Sequence, residues 1–241
     1  ETLRNAFGRD SFVASFIKTV SADENCATAS IDANGVMLYN PAFVGQYVTG
    51  PADLFTVVTH ELMHPMFGHF VHGGGQLENI GADMVINATI SLLFAQRSGN
   101  GGLFKRFYKP IGLEGLLRPG SDMYQSRYAR LYASFYEGTT SATLSTGEVI
   151  QTLKVLTPRV ELPAMTLIGN HEFGDCPKRS EAKTGLSPEF TQKRKPVPAF
   201  QSETLSRIAE DLKRIAQHPG GYGAGYGQGL YDFFLEVLKT H

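Results

Sequence analysis

Apolar residues recur at helical spacing through most of this chain. Leu3, Phe7, Phe12, Val13, Phe16, Ile17 and Val20 predict helix over residues 2–20, with a break at Gly8-Arg9-Asp10 that splits it in two. The period then changes. Ala27–Ile31 and Val36–Tyr39 flank Asp32-Ala33-Asn34-Gly35, and Asn-Gly between two apolar runs predicts a β-hairpin over 26–39. Asn40-Pro41 reads as an N-cap with proline at the first helical position, opening a helix to about Tyr47. Gly50-Pro51-Ala52-Asp53 starts another, over about 51–64, with Leu54, Val57, Val58, Glu61 and Leu62 on one side. After Gly73-Gly74-Gly75 a long helical pattern covers 77–96. Residues 97–123 read as glycine-rich and irregular, with short apolar pieces, and 123–137 as helix with aromatics at Tyr124, Tyr128, Tyr132, Phe135 and Tyr136.

The region 138–200 reads as loop-rich, with a short helix at 146–154 and a solvated turn at Lys193-Arg194-Lys195. Helix returns at about 202–217. His218–Gly229 carries six glycines and two tyrosines, a linker or flap, and an amphipathic helix closes the chain within 230–241. The pattern is α+β, mainly helical, without internal repeats.

Composition narrows the classes. At 241 residues, 42% hydrophobic and 19% charged, the chain suits an ordinary soluble globule. A net charge of -1 gives no basic field for nucleic acid. No apolar run approaches the roughly 20 residues of a membrane span. The chain starts at Glu1 without Met, so a leader could have been removed. Cys26 and Cys176 are far apart and lack C-x-x-C spacing, which points to a reducing, cytoplasmic setting.

The chemistry concentrates in His60-Glu61-Leu62-Met63-His64, an H-E-x-x-H motif. A helix turns about 100° per residue, so the two histidines share a face, roughly 6 Å apart along the axis. Both can bind one ion, with Glu61 beside them to take a proton from water. Glu61 is also the lone polar residue on an apolar face, costly without a partner. Catalytic zinc usually takes three protein ligands. A third histidine ten positions after the first is excluded, because that position is Phe70. His69 lies about 140° from His64 on an unbroken helix and could ligate only if the chain turns at Pro65 or Gly68. Asp83 is the stronger candidate, since it lies in the apolar stretch Ala82–Ile86 of the next long helix. Asn87 shares its face and can orient a ligand by hydrogen bonding. Pro65 removes one helical hydrogen bond and predicts that the helix ends or kinks at His64. His72 reads as a loop histidine.

Three stretches together resemble the metallopeptidase domain that precedes a von Willebrand factor A-like domain in bacterial proteins. They are T-A-S-I-D-A-N-G-V-M-L-Y-N-P-A-F-V (28–44), H-E-L-M-H-P-M-F-G-H (60–69) and A-D-M-V-I-N (82–87), with a weaker match at L-I-G-N-H-E (167–172). The family's Arg and Trp between the second and third stretches are absent here, and Pro65 is atypical. The resemblance implies a zincin-like core over 1–217, a partner ATPase of the MoxR type, and a second domain beyond residue 241. The expected function is a zinc-dependent hydrolase acting on protein or peptide, with one Zn2+ per chain. His60, His64 and Asp83 would hold the ion, Glu61 would act as general base, and His171 would stabilise the oxyanion. The hairpin would offer an edge strand to an extended substrate. The alternative is a catalytically silent zinc scaffold that docks a partner through the aromatic helix 123–137 and the C-terminal stretch.

Overall fold

A computed structural model describes residues 2–72, 75–137, 144–157, 162, 165–169, 199–216 and 236. The chain opens with α1 (Thr2–Phe7) and α2 (Phe12–Phe16), followed by strands β1 (Thr19–Ala22), β2 (Ala29–Ile31) and β3 (Val36–Tyr39). Then come α3 (Pro41–Tyr47), α4 (Pro51–Met66), a 3-10 turn at His69–His72 and α5 (Gln76–Leu93). The remainder is α6 (Gly102–Phe107), a 3-10 turn at Glu114–Leu117, α7 (Ala129–Tyr136), α8 (Thr146–Leu156) and α9 (Ser202–Ala216). The fold is mainly helical with one small mixed sheet, an α+β arrangement.

The predicted hairpin is present. β2 pairs antiparallel with β3, and Asp32 Oδ1 accepts from the Asn34 and Val36 amides to set the turn. The chain before it differs from expectation. The first helical stretch ends at Phe16, and Thr19–Ala22 forms β1, parallel to β3. Val20 is 51% exposed, so it is no part of a buried helical face. Pairing with β3 decides its conformation, a non-local contact that overrides helical spacing. The sheet order is β1-β3-β2, so β2 is an edge among the described residues, and it packs on α4.

α4 and α5 form the centre. Phe55, Val58 and Leu62 of α4 and Met84, Val85 and Ile86 of α5 are fully buried. α5 is enclosed by α4, α7, α8 and the Glu114–Leu117 turn, which explains why it is apolar almost all round. α8 carries the capping box its sequence encodes: Ser145 Oγ accepts from the Glu148 amide while Glu148 bonds back to the Ser145 amide. α4 runs through Pro65 to Met66 instead of stopping at His64. Pro65 falls in the last turn, where one lost hydrogen bond matters little, and the Phe67 amide still closes on the Met63 carbonyl at 2.8 Å.

Two further expectations are corrected. Residues 102–107 form a short helix that buries Leu103 and Phe104 between glycine-rich turns that hid it. The aromatic helix is shorter, Ala129–Tyr136, and its Tyr132 and Phe135 are core, as is Tyr128 before it; Tyr124 alone of the set is fully exposed. Most of this aromatic set therefore serves as core. Lys193-Arg194-Lys195, Cys176, the tract 218–229 and, apart from position 236, the stretch 230–241 lie outside the described residues. Among the described residues no helix is long and apolar enough to cross a membrane.

The start of α4 is held by charge. Asp53 accepts from the amide and hydroxyl of Thr49, at 2.8 and 2.7 Å, and pairs with Arg106 of α6. Burial pushes its carboxyl up, but the Thr49 hydrogen bonds and the Arg106 guanidinium outweigh this and hold it below the usual value. Its stabilisation is present above the unfolded pKa, about 3.9, and is lost as pH falls through the folded value. Asp53→Asn should cost about 1–3 kcal/mol in urea unfolding at pH 7. The gap between variant and parent should close in acid; a gap that persists there would contradict this.

Candidate metal centre

α4 presents His60 and His64 one turn apart toward α5, which presents Asp83 and Asn87 one turn apart in return. His60 Nε2 and His64 Nε2 lie 3.1 Å apart. Asp83 Oδ1 lies 3.7 Å from the first and 3.5 Å from the second. Zinc at about 2.0–2.1 Å from each of its tetrahedral ligands separates those ligands by roughly 3.3 Å, and the three observed edges bracket that value. All three side chains are buried, Asp83 completely. Two neutral imidazoles and one carboxylate form a donor set suited to a divalent cation, and this group could hold a metal ion.

The ligand rings are held from behind. His60 Nδ1 meets Asn87 Oδ1 at 2.9 Å, and Asn87 Nδ2 donates to the Leu117 carbonyl at 3.0 Å. This is the orienting role expected of Asn87. His69 also reaches the site, because Gly68, at φ +64°, reverses the chain just after α4. Its Nδ1 lies 3.2 Å from His64 Nδ1, the ring edge that faces away from Asp83. Its Nε2 lies 3.1 Å from Thr146 Oγ1 at the start of α8. The turn at Gly68 thus brings His69 to the back of a ligand rather than to the Nε2 atoms. His72 sits beyond it, with its ring 6.4 Å from that of His69.

Sequence reasoning missed the cover of the site. Leu167–Gly169 crosses over α4, pinned at both amides. The Ile168 amide donates to Tyr108 Oη at 2.8 Å, and the Gly169 amide to Thr28 Oγ1 at 2.8 Å. The Tyr108 phenol is buried and also bonds Asn87; burial first, then the Asp83 charge, push its pKa well above the ordinary value. It therefore stays protonated and neutral beside Asp83. Gly169 has φ +95°, and a Cβ there would stand 2.5 Å from Glu61 Oε1 and 3.2 Å from His60 Nε2. Glu61 and the first histidine therefore flank one point beneath this backbone. The weak L-I-G-N-H-E match was the one sequence signal for the segment. His171, expected to stabilise an oxyanion, lies outside the described residues.

Comparison with family models, with curated proteins and with solved structures returns no match to this chain.

Gly169→Ala should be expensive for two reasons, left-handed backbone and collision with Glu61 and His60. Together these predict a loss of about 1–3 kcal/mol in thermal or urea unfolding. An unchanged midpoint would show that the segment does not press on α4.

Proposed function

We propose that this protein is a zinc-dependent hydrolase, best read as a metallopeptidase with a zincin-like core. The observation that carries the proposal is the buried His60–His64–Asp83 triangle beside Glu61. A bound zinc would supply Lewis acidity, lowering the pKa of a coordinated water to about 7. His60 and His64 would hold the ion through Nε2, since each Nδ1 is turned to another partner. Asp83 would contribute its carboxylate, offsetting part of the ionic charge inside an apolar helix pair. Glu61 would accept the proton from the attacking water at its carboxylate. The Leu167–Gly169 backbone lies against Glu61 and His60 and would help to exclude bulk solvent from them. β2, as an edge strand next to α4, is suited to pair with an extended peptide.

The buried Glu61 favours catalysis over a silent zinc scaffold, because a structural site has no use for a base. Oxyanion stabilisation by His171 rests on the sequence. A MoxR-type ATPase partner and a bacterial origin rest on the family resemblance, and a cytoplasmic setting rests on the cysteine pattern.

Purified protein should hold one zinc per chain by mass spectrometry under native conditions. His60→Ala and Asp83→Ala should each lose it, and thermal stability should fall with it. Stoichiometric zinc in either variant would contradict the ligand assignment. Glu61→Gln should retain zinc and stability yet lose roughly 10²–10⁴-fold in hydrolysis of unfolded casein, followed by fragment mass spectrometry. A variant as active as the parent would remove Glu61 from the mechanism.

A further inference from the structure

A polar cleft of about 840 Å³ lies where the α1–α2 junction, the β2–β3 turn and the first turns of α9 meet. The described residues that line it include none of the metal centre. Arg9 and Lys18 line it from either end of α2, and Arg207 from α9. Asp10 is the single carboxylate among the described lining residues. In a chain of net charge -1, three cations around one carboxylate are a local concentration of positive charge. Elsewhere the protein gives its cations partners: Arg106 pairs with Asp53, Lys154 with Glu78, and Arg214 with Asp211. Among the described residues Arg9, Lys18 and Arg207 form no ion pair, with Asp10 or with any other carboxylate.

The walls of the cleft are tied to one another. Buried Asp211 of α9 accepts from the Ser11 hydroxyl at 2.6 Å and from the Val13 amide at 3.0 Å, which locks α9 onto the start of α2. On the other side the Lys18 and Thr19 amides donate to the Gly35 carbonyl at 2.9 and 3.4 Å. Gly35 has φ +77°, and a Cβ there would collide with the Phe16 carbonyl oxygen. That close approach holds the turn, with Ala33 and Asn34, against the end of α2. The Arg207 guanidinium stacks over the Phe12 ring, 3.9 Å from its centroid, so its plane is set before any ligand arrives. A guanidinium held in this way loses less side-chain entropy on binding than a free one. Thr204, three residues before Arg207 on the same side of α9, adds a hydroxyl to the lining.

We propose that this cleft binds a phosphoryl group, free or carried by a small organic molecule, through Arg9, Lys18 and Arg207. Three cations less one carboxylate leave a surplus of two positive charges, which a phosphate dianion matches. The two guanidinium forks suit paired phosphate oxygens, and the Lys18 ammonium adds a point charge. The Thr204 hydroxyl can donate to a remaining oxygen. The volume leaves room for an organic carrier beside the phosphoryl group, with Phe12 and Phe16 as apolar surface against it. The site is independent of the metal-binding reading.

The test is isothermal titration of the full chain with inorganic phosphate, glucose 6-phosphate and glucose. EDTA is present, so that no bound metal holds the anion, and the ionic strength is low, because exposed cations are screened by salt. Both phosphates should bind at one per chain, and glucose should not bind. Tighter binding of glucose 6-phosphate would identify a phosphate ester as the ligand class, and equal affinity would identify free phosphate; either supports the site. Arg9→Gln and Lys18→Gln alter exposed side chains, so both should keep the parent's thermal midpoint while weakening phosphate binding about 10-fold. Arg207→Gln should weaken it similarly, and Asp10→Asn should tighten it. Arg130→Gln removes an exposed cation of α7 outside the cleft and should change nothing. No saturable binding of either phosphate, binding untouched by both Arg9→Gln and Lys18→Gln, or an equal loss in Arg130→Gln would overturn the proposal.

Discussion

A carboxylate with no solvent exposure stands between two imidazoles at the helix pair on which the other elements pack. An isolated buried charge costs several kcal/mol, so Asp83 fits α5 only where donors or positive charge offset it. That constraint organises its surroundings. α4 must face α5 with both histidines, which sets the rotation of each helix. Asn87 must share the face of Asp83 to hold His60. The Glu114–Leu117 turn must bring the Leu117 carbonyl to Asn87. α8 must bring Thr146 to His69. The apolar helices that bury the triangle also remove the water that would otherwise screen it.

The same arrangement separates stability from chemistry. The aromatic contacts of Phe7, Phe55 and Phe94, with ring centroids 4.8 and 5.7 Å apart, lie along α4 on the side of α1 and hold it regardless of any ion. The polar side of α4 carries His60, Glu61 and His64. A substitution such as Leu62→Ala should act on the first set, costing about 2–5 kcal/mol through a cavity. Changes at Glu61 act on the second.

Much of this was legible locally. H-E-x-x-H on an apolar helical face, and A-D-M-V-I-N on the next, name four residues that the fold brings together. Asn-Gly marked the hairpin, Asn40-Pro41 the start of α3, and the apolar spacing a short helix near 146–154. What was not legible depends on distant partners. Val20 forms a strand because β3 lies beside it. Pro65 is tolerated because α4 ends one residue later. His69 turns back because Gly68 adopts a left-handed conformation, which the sequence permits but does not require. Thr28, Tyr108 and Gly169 meet over the site from three separate segments, and no spacing rule connects them.

The central claim is that His60, His64 and Asp83 form one open metal centre. X-ray absorption at the zinc edge of the loaded protein tests it directly. The account predicts two imidazole ligands, one carboxylate oxygen and one further light-atom ligand that exchanges with added small anions. A sulfur shell, a third imidazole in place of the carboxylate, or a closed shell of four protein ligands would contradict it.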